Sequence, residues 1–233
     1  HAIKKVLIEG GVSETKIDVI PSGVDPDRLL KDGCFPDLEP RKEWRSNWKA
    51  KDSTIVFGMV GSYVDHKDPL NLVNAAAEIR SSHPDFDFRV ILIGDGELRS
   101  VLEQKIREKQ LTEYVFLTGW QEDVAPAMSG LDIFVMPSKL EGLCTSLIDA
   151  QAVGLPCVAT IAGGIPDVIE DGVTVILAEP RNPEALVGKM IALSRDKELQ
   201  NRLIRSAKER VLEKFTIESM TASYASLYTK LRS

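Results

Sequence analysis

Residues 55–62 read Ile-Val-Phe-Gly-Met-Val-Gly-Ser, and a few residues on the pattern changes to Leu70, Val73 and Ala77. The first run is almost continuously apolar, as a strand buried on both faces must be. The second carries the one-sided spacing of an amphipathic helix. The alternation recurs downstream. Short β-rich runs at Arg89–Ile93, Tyr114–Leu117, Ile133–Met136, Cys157–Thr160 and Val173–Leu177 are separated by helical spacings such as Leu98, Leu102, Ile106. Strand–helix alternation on this scale requires right-handed crossovers between parallel strands. It predicts an α/β domain, a doubly wound and mostly parallel sheet with helices on both faces.

The flanks differ from this centre. After Pro183 the strands stop, and Leu186, Met190, Leu193 mark one helix and Leu199, Leu203, Ala207, Val211 the next. A final helix carries Met220, Tyr224, Leu227, Tyr228 and Leu231 on one stripe, with Thr216 as its N-cap. At the front, His1–Gly10 reads as the tail of a helix, and Ile17–Ile20 as a strand closing in Pro21-Ser22-Gly23. Val24–Lys51 reads as irregular, with one short helix around Trp44 and Trp48. A chain that opens without Met inside a helical pattern is expected to be a piece of something longer.

Composition narrows the class of function. A 43% hydrophobic share in 233 residues is enough for a sizeable core without disulfides or a structural metal. With 29 basic against 35 acidic residues and no basic block, nucleic-acid binding is not expected, since it rests on phosphate neutralisation. Cys34, Cys144 and Cys157 have no metal-like spacing, and His1, His66 and His83 are the only histidines, so no metal site is expected. Reduced thiols in a cytoplasmic setting fit best. No run approaches the ~20 apolar residues of a membrane span, and no signal-peptide pattern opens the chain.

In an open α/β sheet, ligands bind beyond the carboxyl ends of the strands. There the sequence places Gly61-Ser62, Gly94-Asp95-Gly96, Gly119-Trp120, Pro137-Ser138 and Gly163-Gly164. Glycines at such turns let a backbone come close to a ligand. The most informative stretch is 138–154, where Glu141 stands just before a helix whose first turn is read as Leu143–Ser146. Free amides at a helix N-terminus bind phosphate. Asp149 follows eight residues later, roughly 12 Å along a helix. That gap is too wide for a carboxylate pair sharing a proton, but suits gripping two ends of one long ligand. On spacing alone the plainer reading is favoured: Glu141 a loop charge, Asp149 a solvated helix residue. Lys67, at the start of the helix after Gly61-Ser62, is either an ammonium facing a diphosphate or a surface lysine, and His66 is expected to face solvent. Gly94-Asp-Gly96 is half of a dinucleotide fingerprint and does not argue for NAD. Physics alone stops at a metal-free cleft for a phosphorylated ligand.

At these residues the sequence resembles the retaining GT-B glycosyltransferases of the glycosyl transferases group 1 family, a family that includes phosphatidylinositol mannosyltransferases and many bacterial polysaccharide enzymes. The match is to their C-terminal, Rossmann-like, donor-binding domain and runs from about Ile17 to the end. Its motifs are Ile20-Pro-Ser22-Gly23-Val-Asp25, Gly61-Ser62 through Lys67, Ile93-Gly-Asp-Gly96, Phe116-Leu-Thr-Gly119, Met136-Pro-Ser138, Glu141-Gly142, Gly154-Leu-Pro156-Cys-Val-Ala-Thr160 and Gly163-Gly164-Ile-Pro166-Asp-Val-Ile-Glu170-Asp-Gly172. Together they are highly specific.

The resemblance implies a metal-independent transfer from a nucleotide sugar, with UDP the commonest donor nucleotide and the anomeric configuration retained. Glu141 would hydrogen-bond the donor sugar's hydroxyls. The amides of Gly142, Leu143, Cys144 and Thr145, with Lys67 and the Gly61-Ser62 turn, would hold the diphosphate and stabilise the leaving group. Asp149 would take the ribose hydroxyls, and Trp120 and Gln121 fall where the family contacts the base. The acceptor, a glycan or lipid-linked sugar in polysaccharide or glycolipid assembly, would be held by an N-terminal domain that this chain lacks. The parent would then work at the inner membrane face. On that reading residues 1–233 are a single domain that binds donor without turnover, with 1–23 an interdomain lead-in and 216–233 a helix that crosses back onto the missing domain, its apolar stripe partly exposed. Four positions depart from the family: Ser62 stands for Arg, Asp149 for Glu, Ser22 for Asn and Asp167 for Glu. The first removes a cation from the diphosphate site, worth roughly ten- to a hundredfold in affinity. Two further readings are a non-catalytic sugar-nucleotide-binding module and another GT-B enzyme, such as a nucleotide-sugar epimerase or a phosphorylase. No acid/base pattern or cofactor lysine supports either enzyme.

Overall fold

The computed structural model describes residues 2–25, 28 and 38–232. His1 and Cys34 lie outside the described residues. Six strands, β1 (Ile55–Val60), β2 (Phe88–Ile93), β3 (Val115–Leu117), β4 (Ile133–Met136), β5 (Cys157–Thr160) and β6 (Ile176–Ala178), form one sheet in the order β3-β2-β1-β4-β5-β6. Every pair is parallel, for example Val56 with Arg89 and Val135 with Val158. Ten helices are described: α1 (Ala2–Glu9), α2 (Leu38–Asn47), α3 (Pro69–Ser82), α4 (Arg99–Glu108), α5 (Ala125–Ser129), α6 (Thr145–Val153), α7 (Ile165–Val168), α8 (Pro183–Arg195), α9 (Lys197–Lys214) and α10 (Ile217–Arg232). None is long and apolar enough to cross a membrane.

Alternate side chains of each strand feed opposite layers. Phe57, Met59, Val90, Leu92 and Val135 pack with Leu72 and Ile79 of α3, Leu102 of α4 and Leu186 and Met190 of α8. Val56, Ile91, Ile93, Phe134 and Met136 face the other layer, with Met128 of α5, Ile148 of α6 and Ile165 of α7. Helix α9 contributes Leu203 to the first core and Val211 to the second, so it wraps the β6 side of the sheet. Burial on both faces is what makes the strands read as unbroken apolar runs.

Three local expectations are corrected. Residues 17–20 form no strand: Ile17 is extended, but no described strand pairs with the segment, and the ladder contact of this region is a single bridge from Val24 to Thr216. Strand β6 starts at Ile176 rather than Val173, because the Glu170 carbonyl accepts from the Val173 and Thr174 amides and curls residues 170–174 into a turn. The short helix read around Trp44 and Trp48 is α2, which starts earlier, is ten residues long and ends just before Trp48, itself buried against Gly130. It is fastened by Arg45, which donates to the Gly130 carbonyl at 3.1 Å, Asp132 Oδ2 at 3.0 Å, the Lys51 carbonyl at 2.6 Å and the Thr54 carbonyl at 2.7 Å.

The outer elements behave as read. Thr216 caps α10, its Oγ1 accepting from the Ser219 amide at 3.1 Å. No residue of α10 is buried, and Tyr224, Tyr228 and Leu231 are exposed, as are Ile3, Val6 and Leu7 of α1.

Candidate active site

The strand order reverses between β1 and β4, and a crevice opens at their carboxyl ends, where such folds bind ligands. A cavity of about 510 Å³ fills it, with Arg28, Ser62, Lys67, Thr145, Ser146 and Asp149 in its walls. The parallel sheet fixes one side of it, since Val60 and Gly61 end β1 there. Its far wall runs from Glu122 to Val124, in the turn after β3.

Lys67 closes a short 3₁₀ turn, Asp65–Lys67, two residues before α3 rather than at its start. Its ammonium meets both carboxylate oxygens of Glu141, at 2.7 Å and 2.9 Å. Ser138 Oγ donates to Glu141 Oε1 at 2.7 Å. Glu141 is only 7% exposed, so it is not the loop charge that spacing favoured. A buried carboxylate is tolerable here because a cation and a hydroxyl satisfy it.

The glycines around this pair serve neighbouring turns. A Cβ on Gly164 would overlap the Gly142 carbonyl oxygen, and one on Gly163 the Glu141 carbonyl oxygen. The Gly164 amide donates to the Glu141 carbonyl at 2.8 Å. Likewise a Cβ on Gly94 would overlap the Gly61 carbonyl oxygen. Backbone thus packs on backbone along the carboxyl edge, which sets the shape of the crevice.

Helix α6 begins at Thr145, two residues later than read. The Thr145 amide turns back to the Leu143 carbonyl at 3.0 Å, while those of Gly142, Leu143 and Cys144 make no backbone hydrogen bond among the described residues. The Cys144 side chain is buried, and burial pushes its thiol up to about 11, so it stays protonated at neutral pH; Cys144 lines neither cavity. Asp149, on the second turn, is likewise 7% exposed and not solvated. Arg28 Nη2 donates to its Oδ2 at 2.7 Å, whereas its Oδ1 is buried with no partner among the described residues. Burial raises the Asp149 carboxyl above the usual carboxylate range, and the Arg28 guanidinium opposes that rise.

The structure therefore brings Gly61, Ser62, Lys67, Thr145 and Asp149 around one cavity, with Glu141 directly behind Lys67. Gly142 and Leu143 line a second hollow of about 520 Å³, walled also by Ile3, Ile20, Ser22 and Phe215. Trp120 and Gln121 line neither: Trp120 is 71% exposed, and Gln121 Nε2 donates to the Thr118 carbonyl at 3.3 Å. His66 is exposed, as read. Sequence reasoning missed Arg28, the Ser138 hydroxyl's part in holding Glu141, and the Glu122–Val124 wall. None has a spacing that would single it out; Ser138 alone stands in an edge turn and in the Met136-Pro-Ser138 motif, neither of which points to a bond with Glu141.

The order β3-β2-β1-β4-β5-β6, with its crevice at the reversal, defines a Rossmann-like domain of the kind that makes up half of a GT-B fold. The chain belongs to the family described as Glycosyl transferases group 1, whose model matches residues 40–210. It is 27% identical over 218 residues to the UDP-Gal:alpha-D-GlcNAc-diphosphoundecaprenol alpha-1,3-galactosyltransferase of Escherichia coli, covering 93% of this chain and 55% of that protein. It resembles the crystal structure of a glycosyltransferase from Rickettsia africae ESF-5 with a TM-score of 0.87 at 21% identity, over 98% of this chain and 61% of that one. The Anabaena protein HepE, solved in complex with UDP-glucose, gives 0.86 at 20% identity, over 97% and 61%. The chain spans about half the length of the curated relatives it matches.

Proposed function

We propose that this domain binds the nucleotide-sugar donor of a retaining, metal-independent glycosyltransferase, with a UDP-sugar the first candidate. The observation that carries the reading is the Lys67–Glu141 couple, set at a switch-point cavity beside the open N-terminus of α6. Lys67 and the amides of residues 142–144 supply the donors that a diphosphate needs, and the positive end of the helix dipole adds to them. As the glycosidic bond to the diphosphate breaks, negative charge grows on the leaving oxygens, and a fixed ammonium and amides stabilise it without reorganising. Glu141 holds the ammonium in place and offers its carboxylate to sugar hydroxyls. Asp149, with one oxygen unpaired among the described residues, accepts from a ribose hydroxyl. The names of the relatives support this reading: the E. coli protein is a galactosyltransferase using UDP-Gal, and HepE was solved with UDP-glucose. The acceptor, a glycan or lipid-linked sugar, would be held by a further domain, against which the exposed stripe of α10 is suited to pack.

Calorimetric titration with UDP, GDP and ADP, each with Mg²⁺ and with chelator, tests the reading. One nucleotide is expected to bind equally well in both buffers, and more weakly to Lys67→Ala. Binding that requires Mg²⁺ would overturn metal independence. No binding at millimolar concentration would overturn the donor-site assignment.

A further inference from the structure

Two cations line the main cavity, Lys67 and Arg28, and they differ in how far their donors are committed. An ammonium has three N–H donors, and Lys67 turns two of them to the oxygens of Glu141, leaving one for a ligand. A guanidinium has five, and Arg28 uses Nη2 alone, on Asp149 Oδ2, among the described residues. The Arg28 side chain is 58% exposed and the Asp149 side chain 10%, and both line the cavity. Ser62, on the same cavity, brings no charge. Asp149 Oδ1 is buried with no hydrogen-bond partner among the described residues, so it has acceptor capacity for a hydroxyl. A ligand that satisfies both groups carries a hydroxyl donor a short distance from anionic oxygens, as the ribose and phosphates of a nucleotide do.

We infer that Arg28 is a second phosphate-binding residue of the cleft, positioned by Asp149 and supplying the charge that Ser62 does not. This rests on the donor-site reading above. A fork of parallel N–H groups suits phosphate oxygens better than a point charge does. Asp149 then has two jobs, one for each oxygen: Oδ2 aims the guanidinium and Oδ1 takes the sugar ring's hydroxyl.

The test is calorimetry on the whole chain with uridine and UDP, and in parallel with the adenosine and guanosine pairs. Arg28→Gln is expected to lower affinity for the diphosphate about ten- to a hundredfold and to leave the nucleoside within about twofold. Adding Ser62→Arg to Arg28→Gln is expected to return most of the lost diphosphate affinity. Thermal unfolding confirms that each variant is folded. Equal diphosphate binding by wild type and Arg28→Gln would overturn the proposal while leaving the donor site intact. Equal losses for nucleoside and diphosphate would overturn it too, because Arg28 would then act on the pocket rather than the phosphates. Failure of Ser62→Arg to recover binding would refute a shared place for the two charges. A wild-type chain that binds no nucleoside diphosphate would sink the donor-site reading itself, and this inference with it.

Discussion

The Lys67 ammonium lies 2.7 Å from one oxygen of Glu141 and 2.9 Å from the other, bridging the turn before α3 to the loop before α6. The two residues are 74 apart in sequence, so the pair ties β1's crossover to β4's across the crevice. Lys67→Ala leaves the Glu141 carboxylate buried with only the Ser138 hydroxyl. It is expected to lower stability by about 2–4 kcal/mol, somewhat less than a fully buried pair because Lys67 is partly exposed. Glu141→Gln keeps the shape and an acceptor for both partners and should cost about half as much. Chemical denaturation of the two variants at neutral pH checks the order.

Asp149 gives a pH signature. Its carboxyl is raised in the folded state, so the native protein holds that proton more tightly than the unfolded chain does. Its contribution to stability is therefore fully present below the ordinary carboxylate range and is lost as pH rises through the raised value. Asp149→Asn removes this loss. Relative to wild type it is expected to gain stability between acid and neutral pH, a trend that denaturant titrations at a series of pH values would show.

Gly164 and Gly188 form a contrasting pair. Gly164→Ala drives a methyl into the Gly142 carbonyl and is expected to cost about 1–3 kcal/mol, with nucleotide binding weakened because residues 141–142 must shift. Gly188 lies mid-helix in α8 with open space where a Cβ would go. Gly188→Ala should raise stability by about 0.5–1 kcal/mol and leave binding alone. Thermal melts beside a UDP titration separate the two.

Asp132 accepts from Arg45 at 3.0 Å, from Arg41 at 2.7 Å and from the Val56 amide at 2.8 Å. Asp132→Ala leaves the buried Arg45 without its counter-charge and is expected to cost about 3–5 kcal/mol. Hydrogen exchange should show α2 released first.

Leu231 and Tyr228 are exposed on α10, so Leu231→Ser and Tyr228→Ser are expected to move stability by no more than about 0.5 kcal/mol. A large loss in either melt would mean that this face is covered in solution.

The fold was legible because its signal is local: strands buried on both faces are apolar throughout, and helices such as α3 and α8 carry regular stripes. The Val24–Thr216 bridge and the fastening of α2 by Arg45 were not legible, since both join segments far apart in sequence through contacts without periodicity. The site divided in the same way. Lys67 and Glu141 sit in motifs that the sequence displays, but their direct pairing, their burial and the contact of Arg28 with Asp149 depend on how loops approach one another across the sheet.

The bridge at Val24 also orders events during synthesis. The Val24 amide donates to the Phe215 carbonyl, its carbonyl accepts from the Ile217 amide, and the neighbouring Gly23 amide reaches Met220 Sδ, 197 residues away. A ribosome that has already delivered all six strands has still not made the partners of this segment. Gly23 and Val24 must therefore wait for these contacts until residues 215–220 have been made.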